Sequence, residues 1–282
     1  MKTLLSIIVG IALLTSCDVI DNPIETPEIP VDTTKSFKQN VLIEDYTGHT
    51  CGNCPEAAEV AHTVQNLYGK DRVVIVAVHS GPFAFPLPPD YATDYQTPEG
   101  NALDQTFRIS RAGNPNGLVN RKVYNGKFIQ SKDNWAAATT EYLTAKPALG
   151  MSAVSSWDEA TKTVTVNLDL TYITGGTPDY YLATWITESG LVGDQTDYRK
   201  SPSHIEEYEF DHVLRSSVGG AWGEQLSTTA VAAGTKVSKT LTYTFPSDKD
   251  WKPENCEVVL FVHRHQTEKD VLQVISVPVK SK

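Results

Sequence analysis

The feature that most constrains this chain is Cys51-Gly52-Asn53-Cys54-Pro55, set between a short apolar run at Val41, Leu42 and Ile43 and a stretch in which Ala57, Ala58, Val60, Ala61, Val64 and Leu67 recur at helical spacing. Gly69 closes that stretch where a helix C-cap is expected. The next segment, Val73 to Val78 (VVIVAV), is continuously apolar, as a strand covered on both faces requires. Two cysteines three residues apart at a helix start lie on the same side, about one turn apart, close enough to form a disulfide. A thiol there meets unpaired backbone N–H groups and the positive end of the helix dipole, which favours the thiolate. Cys51 is therefore the candidate attacking sulfur and Cys54 the candidate resolving one.

Strand, CxxC at a helix start, helix, strand is similar to the opening of a thioredoxin fold. Asp45, six residues before Cys51, resembles the buried acid that relays protons to the second cysteine in that fold, against the plainer reading of a solvated acid at a strand end. Pro115, within Gly113-Asn114-Pro115-Asn116-Gly117 and just before Leu118-Val119, resembles the cis-proline that faces the two sulfurs. Thr50 and Asn53 stand where thioredoxins carry Trp and Pro, so neither potential nor substrate transfers. Residues 80–98, rich in Pro and aromatics, are expected beside the site, followed by a hairpin over 118–130 turning at Asn125-Gly126 and a helix over 133–145. A structural disulfide Cys51–Cys54 remains the alternative to a redox pair. Zinc is disfavoured: His49 could join Cys51 and Cys54, but no second CxxC or HxxxH completes a four-ligand set.

After Lys146-Pro147 the helical patterning stops. Thr163 to Thr171 (TVTVNLDLT) alternates apolar and polar residues, and Tyr180–Ile186, Val237–Phe245, Val258–Val262 and Val271–Val279 are further strand-like runs. Short strands without amphipathic helices between them predict an antiparallel, immunoglobulin-like sandwich. The polar excursion 187–234 carries His204, Glu206, Glu207, Glu209, Asp211 and His212, which read as a solvated loop or hairpin rather than a metal site. His263 and His265 read as an exposed or half-buried pair on one strand face, and Cys256 as a buried free thiol.

At the N-terminus, Met1-Lys2 precede an apolar run from Leu4 to Leu14, about ten residues long, which suits a signal-peptide core and is too short for a membrane span of roughly 20. It closes as Leu14-Thr15-Ser16-Cys17, which resembles the lipobox of bacterial lipoproteins and makes Cys17 the candidate lipidation site. Two or three acyl chains, at about 0.8 kcal/mol per buried CH₂, would hold the chain at a membrane without spanning it. Residues 18–34, with five acids, three prolines and no Lys or Arg, read as a solvated spacer. The expected organisation is a signal peptide over 1–16, acylated cysteine and tether over 17–36, a thioredoxin-like α/β domain over 37–146 and a β-sandwich over 147–282. A net charge of -10 argues against binding nucleic-acid phosphate or anionic headgroups, and no cofactor is indicated.

The lipobox, IEDYTGHTCGNCPEAAEVAH (43–62), NPNGLVNR (114–121), DHVLR (211–215) and the terminal VVLFVHR and DVLQVISVPV runs together resemble the twenty-eight-kilodalton outer-membrane protein family of Gram-negative lipoproteins. The resemblance implies an outer-membrane lipoprotein, periplasmic or surface-exposed, and a surface receptor or adhesin role toward an unknown protein or surface ligand. Two functions follow. One is a non-catalytic surface binder in which Cys51–Cys54 is a stabilising clip. The other is an envelope thiol-disulfide oxidoreductase using Cys51, Cys54, Asp45 and Pro115.

Overall fold

The computed structural model describes residues 37–281, so the expected signal peptide, Cys17 and the whole tether lie outside the described residues. The chain enters through β1 (Val41–Thr47), turns at the cysteine motif into α1 (Cys54–Tyr68), and returns as β2 (Val73–His79), parallel to β1 with Val41 opposite Val73 and Thr47 opposite His79. Short helices α2 (Pro98–Phe107) and α3 (Ile109–Ala112) lead to β3 (Asn116–Val119), antiparallel to β1, and then to α4 (Lys132–Tyr142). From there on the chain is strands: β4 (Leu149–Asp158), β5 (Thr163–Tyr172), β6 (Tyr180–Glu188), β7 (Leu191–Thr196), β8 (His204–Phe210), β9 (Val213–Val218), β10 (Glu224–Gln225), β11 (Lys236–Thr244), β12 (Cys256–Arg264) and β13 (Val271–Pro278).

Alternation along β1 explains how the layers assemble. Val41 and Ile43 point toward α1 and α4, where they join Ala57, Ala61, Val64, Trp135 and Ala138 in one apolar core. Leu42 and Tyr46 point the other way, into a core that also takes Leu103 and Phe107 of α2 and, from the second half of the chain, Trp185, Val259, Phe261 and Val274. Both faces of β1 and β2 are thus buried, as their uninterrupted apolar runs require. The three-stranded sheet β11-β5-β4 turns Val164, Val166, Leu168 and Leu170 onto Leu182, Ile186, Val258 and Leu260, making a further core.

The expectation of an α/β thioredoxin-like domain followed by an all-β immunoglobulin-like sandwich is corrected here. The molecule is mostly β, and its main sheet of eight strands runs β13-β12-β6-β9-β2-β1-β3, with β10 on β6, so strands from both halves share one sheet. Ala77 of β2 pairs with Val213 of β9, and the Ala77 N–H donates to the His212 carbonyl at 2.8 Å. Asn40, just before β1, is tied to β13 through Asn40 N to Gln273 Oε1 at 2.9 Å and Asn40 Nδ2 to the Val274 carbonyl at 2.9 Å. The physical reason is that one face of β1 and β2 is completed by Trp185, Val259 and Phe261 of the second half rather than by helices alone. His263 is also corrected: it is fully buried, its two ring nitrogens facing the Trp222 and Arg264 carbonyls.

At the centre of that shared core Glu44 of β1 and Arg121, just after β3, form a bidentate ion pair (Nε to Oε2 2.7 Å, Nη2 to Oε1 2.9 Å) with both side chains 0% exposed. Removing one partner leaves a buried charge without its counterion, which costs about 3–5 kcal/mol, whereas replacing both with apolar side chains is close to neutral. Arg121→Met should therefore lower the urea unfolding free energy by about that amount, and Glu44→Leu/Arg121→Met should recover most of it.

Candidate functional site

The cysteine motif hangs between the end of β1 and the start of α1. Cys54 is the first helical residue, and Cys51 stands three residues ahead of the helix rather than within its first turn. The Cys54 N–H donates to the Cys51 carbonyl at 3.1 Å, and Cys51 and Cys54 are joined by a disulfide. Each of the two residues is 2% exposed.

Parity along β1 puts Asp45 on the same side as Val41 and Ile43, beneath α1. It is 2% exposed, its Oδ1 has no hydrogen-bond partner, and burial pushes its carboxyl up to about 7. His79, opposite Thr47 at the end of β2, is equally buried; neither ring nitrogen has a partner, and desolvation pushes it down to about 3. Its ring packs against both Tyr95 and Phe210, at centroid distances of 5.0 and 5.5 Å. Asp45, His79 and Cys54 line one small cavity of about 40 Å³, closed from the other side by Gln195 and Tyr208. The β1–β3 register sets Asn116 opposite Tyr46, so Pro115, whose peptide bond with Asn114 is cis, lies at the same end of the sheet as the cysteine loop.

Residues 80–98 form one wall of the site. The Phe83 carbonyl accepts from Thr50 N (3.1 Å) and Thr50 Oγ1 (3.0 Å), and the Phe85 carbonyl lies 3.0 Å from His49 Nε2. This approach requires glycine at 48, where a Cβ would sit 2.4 Å from the Phe83 backbone.

The other wall comes from the tip of the β7–β8 hairpin. Gln195 Nε2 donates to the Cys51 carbonyl (3.1 Å), Thr196 N to the His49 carbonyl (2.9 Å) and Tyr198 N to the Gly52 carbonyl (2.9 Å). The Tyr198 ring lies so close to Gly52 that a Cβ there would be 2.5 Å from it. Arg199 donates Nη1 and Nη2 to Glu59 of α1 at 2.7 and 2.8 Å, and its Nε to Asp197 at 2.9 Å. Gln195, Tyr198 and Arg199 carry no signal in the local sequence, because their contacts depend on how a segment 140 or more residues downstream folds back. His79 had a faint one: a polar residue ending an otherwise wholly apolar strand.

The remaining candidates are dispersed. His204 pairs with Asp194 at 2.6 Å, His212 packs against His62 with ring centroids 5.3 Å apart, and Cys256 is a buried free thiol whose pKa is raised by burial. Among the described residues no three His, Cys, Asp or Glu side chains converge on a point that could hold a metal ion.

The model of the family described as outer membrane protein Omp28 matches residues 101–282, well over half of the sequence. The chain belongs to the Omp28 outer-membrane protein family. Its location is accordingly the outer-membrane envelope. Comparison with curated proteins finds no match. Among solved structures, HBP35 of Porphyromonas gingivalis is similar at 18% identity and a TM-score of 0.63, covering 86% of this chain and 76% of that one, which is a likeness of fold. A domain of the outer membrane lipoprotein Omp28 from Porphyromonas gingivalis is 22% identical over 48% of this chain and 91% of its own length, with a TM-score of 0.31.

Asp45 makes the site sensitive to pH in a definite direction. Its folded carboxyl binds a proton more tightly than the unfolded one, so its stabilising contribution is complete below about pH 4 and is lost as pH rises through about 7. His79 acts oppositely: its folded pKa is depressed, so its contribution is lost as pH falls from about 6.5 toward 3. The difference between wild type and Asp45→Asn isolates the first effect. Urea titrations should show the variant gaining on wild type by up to about 4 kcal/mol between pH 4 and pH 8, roughly three pKa units at 1.36 kcal/mol each.

Proposed function

We propose that the chain is a binding protein of the outer membrane, held there through lipid on Cys17, which engages a protein or other surface ligand in the manner of a receptor or adhesin. The observation that supports this best is the sealed disulfide beside a set of exposed apolar side chains. A centre that serves incoming thiols needs a reachable sulfur. Here both cysteines are 2% exposed, while Phe83 (41%), Phe85 (52%), Leu87 (56%) and Tyr198 (66%) stand out around the same loop. The Phe83 and Phe85 carbonyls hold Thr50 and His49 respectively, and Tyr198 flanks Gly52. Aromatic side chains exposed together are what protein contact surfaces use.

One observation favours a second reading, an envelope thiol-disulfide oxidoreductase. Asp45 is a buried carboxyl that keeps its proton to about pH 7 and lines the same cavity as Cys54. It would supply that proton to a departing Cys54 thiolate, with Cys51 forming the mixed disulfide and Pro115 bounding the groove.

Whole cells separate the two. Phe83→Ser/Phe85→Ser should reduce attachment about tenfold under the binding reading. Cys51→Ser/Cys54→Ser should leave attachment unchanged and lower stability by about 2 kcal/mol, the loop-closure effect of so short a ring. The reverse pattern, with Cys54→Ser accumulating mixed disulfides in the envelope, would establish the oxidoreductase instead. Cys17→Ala should release the protein from the membrane fraction and abolish labelling by a palmitate analogue; retention with lipid would remove the anchor from the proposal.

A further inference from the structure

Residues 196–198 lie across the cysteine loop through backbone hydrogen bonds, the N–H groups of Thr196 and Tyr198 donating to the carbonyls of His49 and Gly52. The hairpin that carries them is built unevenly. Its base is fixed by Leu191, Tyr208 and Phe210, which join Tyr95 and Val213 in a small apolar cluster. Its tip, residues 197–203, contributes nothing to that cluster. β7 and β8 pair only with each other, and a ribbon of two strands has little stability of its own. The pairing shifts register between Gly193 and Gln195, an irregularity that separates base from tip. The clamp from the tip to α1 is Arg199–Glu59, with side chains 38% and 64% exposed, so it is an ion pair of small worth. Beneath the tip, Cys51 faces the cover through its carbonyl, while Cys54 lines the inner cavity with Asp45.

We propose that this tip holds, in cis, the place of an extended polypeptide: a partner segment bearing a free cysteine displaces residues 196–203, pairs with the His49 and Gly52 carbonyls, and only then reaches the disulfide. The proposal rests on the exchange reading of the site. The partner's thiolate attacks Cys51 Sγ, a partner–Cys51 S–S bond forms as the Cys51–Cys54 bond breaks, and Cys54 leaves with the electron pair and takes the proton held by Asp45. No net oxidant is needed, because the partner's sulfur is oxidised as Cys54 is reduced.

The test follows the kinetics of disulfide reduction in the full chain. With dithiothreitol, wild type should be reduced slowly, at a rate that barely changes with urea below the unfolding transition, because opening is local. Tyr198→Gly/Glu59→Gln should be reduced about tenfold faster at an unchanged urea midpoint, as the loss of an exposed ion pair and an exposed ring implies, Arg199 keeping its pairing with the buried Asp197. Should that variant not fold, Glu59→Gln, which alters only the clamp from the α1 side, should give a severalfold acceleration. A synthetic peptide of residues 194–200 carrying Thr196→Cys should react with the opened variant faster than glutathione does at equal thiolate concentration. The proposal is overturned if tip variants are reduced at the wild-type rate, if reduction tracks global unfolding, or if the peptide reacts no faster than glutathione. Mixed-disulfide trapping by Cys54→Ser in the envelope is a separate measurement: its failure sinks the exchange reading, while the reduction kinetics alone decide whether the tip gates the sulfurs.

Discussion

The buried pair Glu44–Arg121 is the interaction around which the two halves of the chain are joined. An ion pair at zero exposure carries a desolvation penalty that geometry alone barely offsets, so the surroundings of the guanidinium matter. Its Nη1 has no hydrogen-bond partner, but the group lies 5.1 to 5.6 Å from the ring centroids of Phe107, Trp185, Trp222 and Phe261. Four π-faces supply a negative potential that no water can provide there. Phe107 comes from α2, Trp185 from β6 and Phe261 from β12, so the cage closes only when both halves are folded together. Asn120, beside Arg121, extends the node: its Oδ1 accepts from Leu42 N at 2.8 Å, and its carbonyl accepts from Val271 N of β13 at 2.8 Å. Asn120 and Arg121 both adopt positive φ, 49° and 51°, a conformation that asparagine tolerates better than most residues and that here turns the arginine inward.

What the sequence disclosed and what it hid divide along one physical line. Periodicity reports whether a face is covered. It does not report by what. TVTVNLDLT alternated, and β5 indeed buries Val164, Val166, Leu168 and Leu170 on one face. VLI and VVIVAV demanded cover on both faces, and the ordinary supplier of such cover is a second layer of helices, which led to a self-contained α/β domain. Trp185 and Phe261 supply it instead, and nothing at residues 41–47 distinguishes an indole from β6 from a leucine on a nearby helix. Cys51 and Cys54 were legible as a bonded pair because their contact is local. Gln195, Tyr198 and Arg199 were not, because a polar hairpin tip reads the same whether it meets water or the backbone of a distant loop.

Electrostatics inside the site follow from the same burial. Desolvation raises Asp45 and lowers His79, so both shifts favour the uncharged form. Between about pH 3 and pH 7 the interior next to the disulfide therefore holds a neutral acid and a neutral imidazole, with no fixed charge to stabilise a thiolate at Cys54. A thiolate formed there would have to be quenched at once by a proton, and Asp45 is the only one of the two that carries an acidic proton at that pH. The arrangement suits a disulfide that stays closed, and it makes Asp45 the proton source if the bond opens, the buried negative charge then passing from the Cys54 sulfur to the Asp45 carboxylate.

The cover over that bond is the part of the site that the motif alone does not disclose. Cys-Gly-Asn-Cys at a helix start implies an exposed thiolate only if nothing lies over the loop, and glycine at 52 normally leaves the backbone bare. Here the bareness is used: the absence of a Cβ lets the Tyr198 ring settle against Gly52 and lets the Gly52 carbonyl accept the Tyr198 N–H. The same small residue that makes such a loop accessible in principle makes it coverable in this fold. Reactivity is thus set by the stability of a hairpin tip whose apolar support lies at its base, not by the four residues of the motif. A chain that ended after α4 would keep the cysteines and Asp45 but lose Gln195, Thr196 and Tyr198, and with them the condition that keeps the sulfurs out of reach.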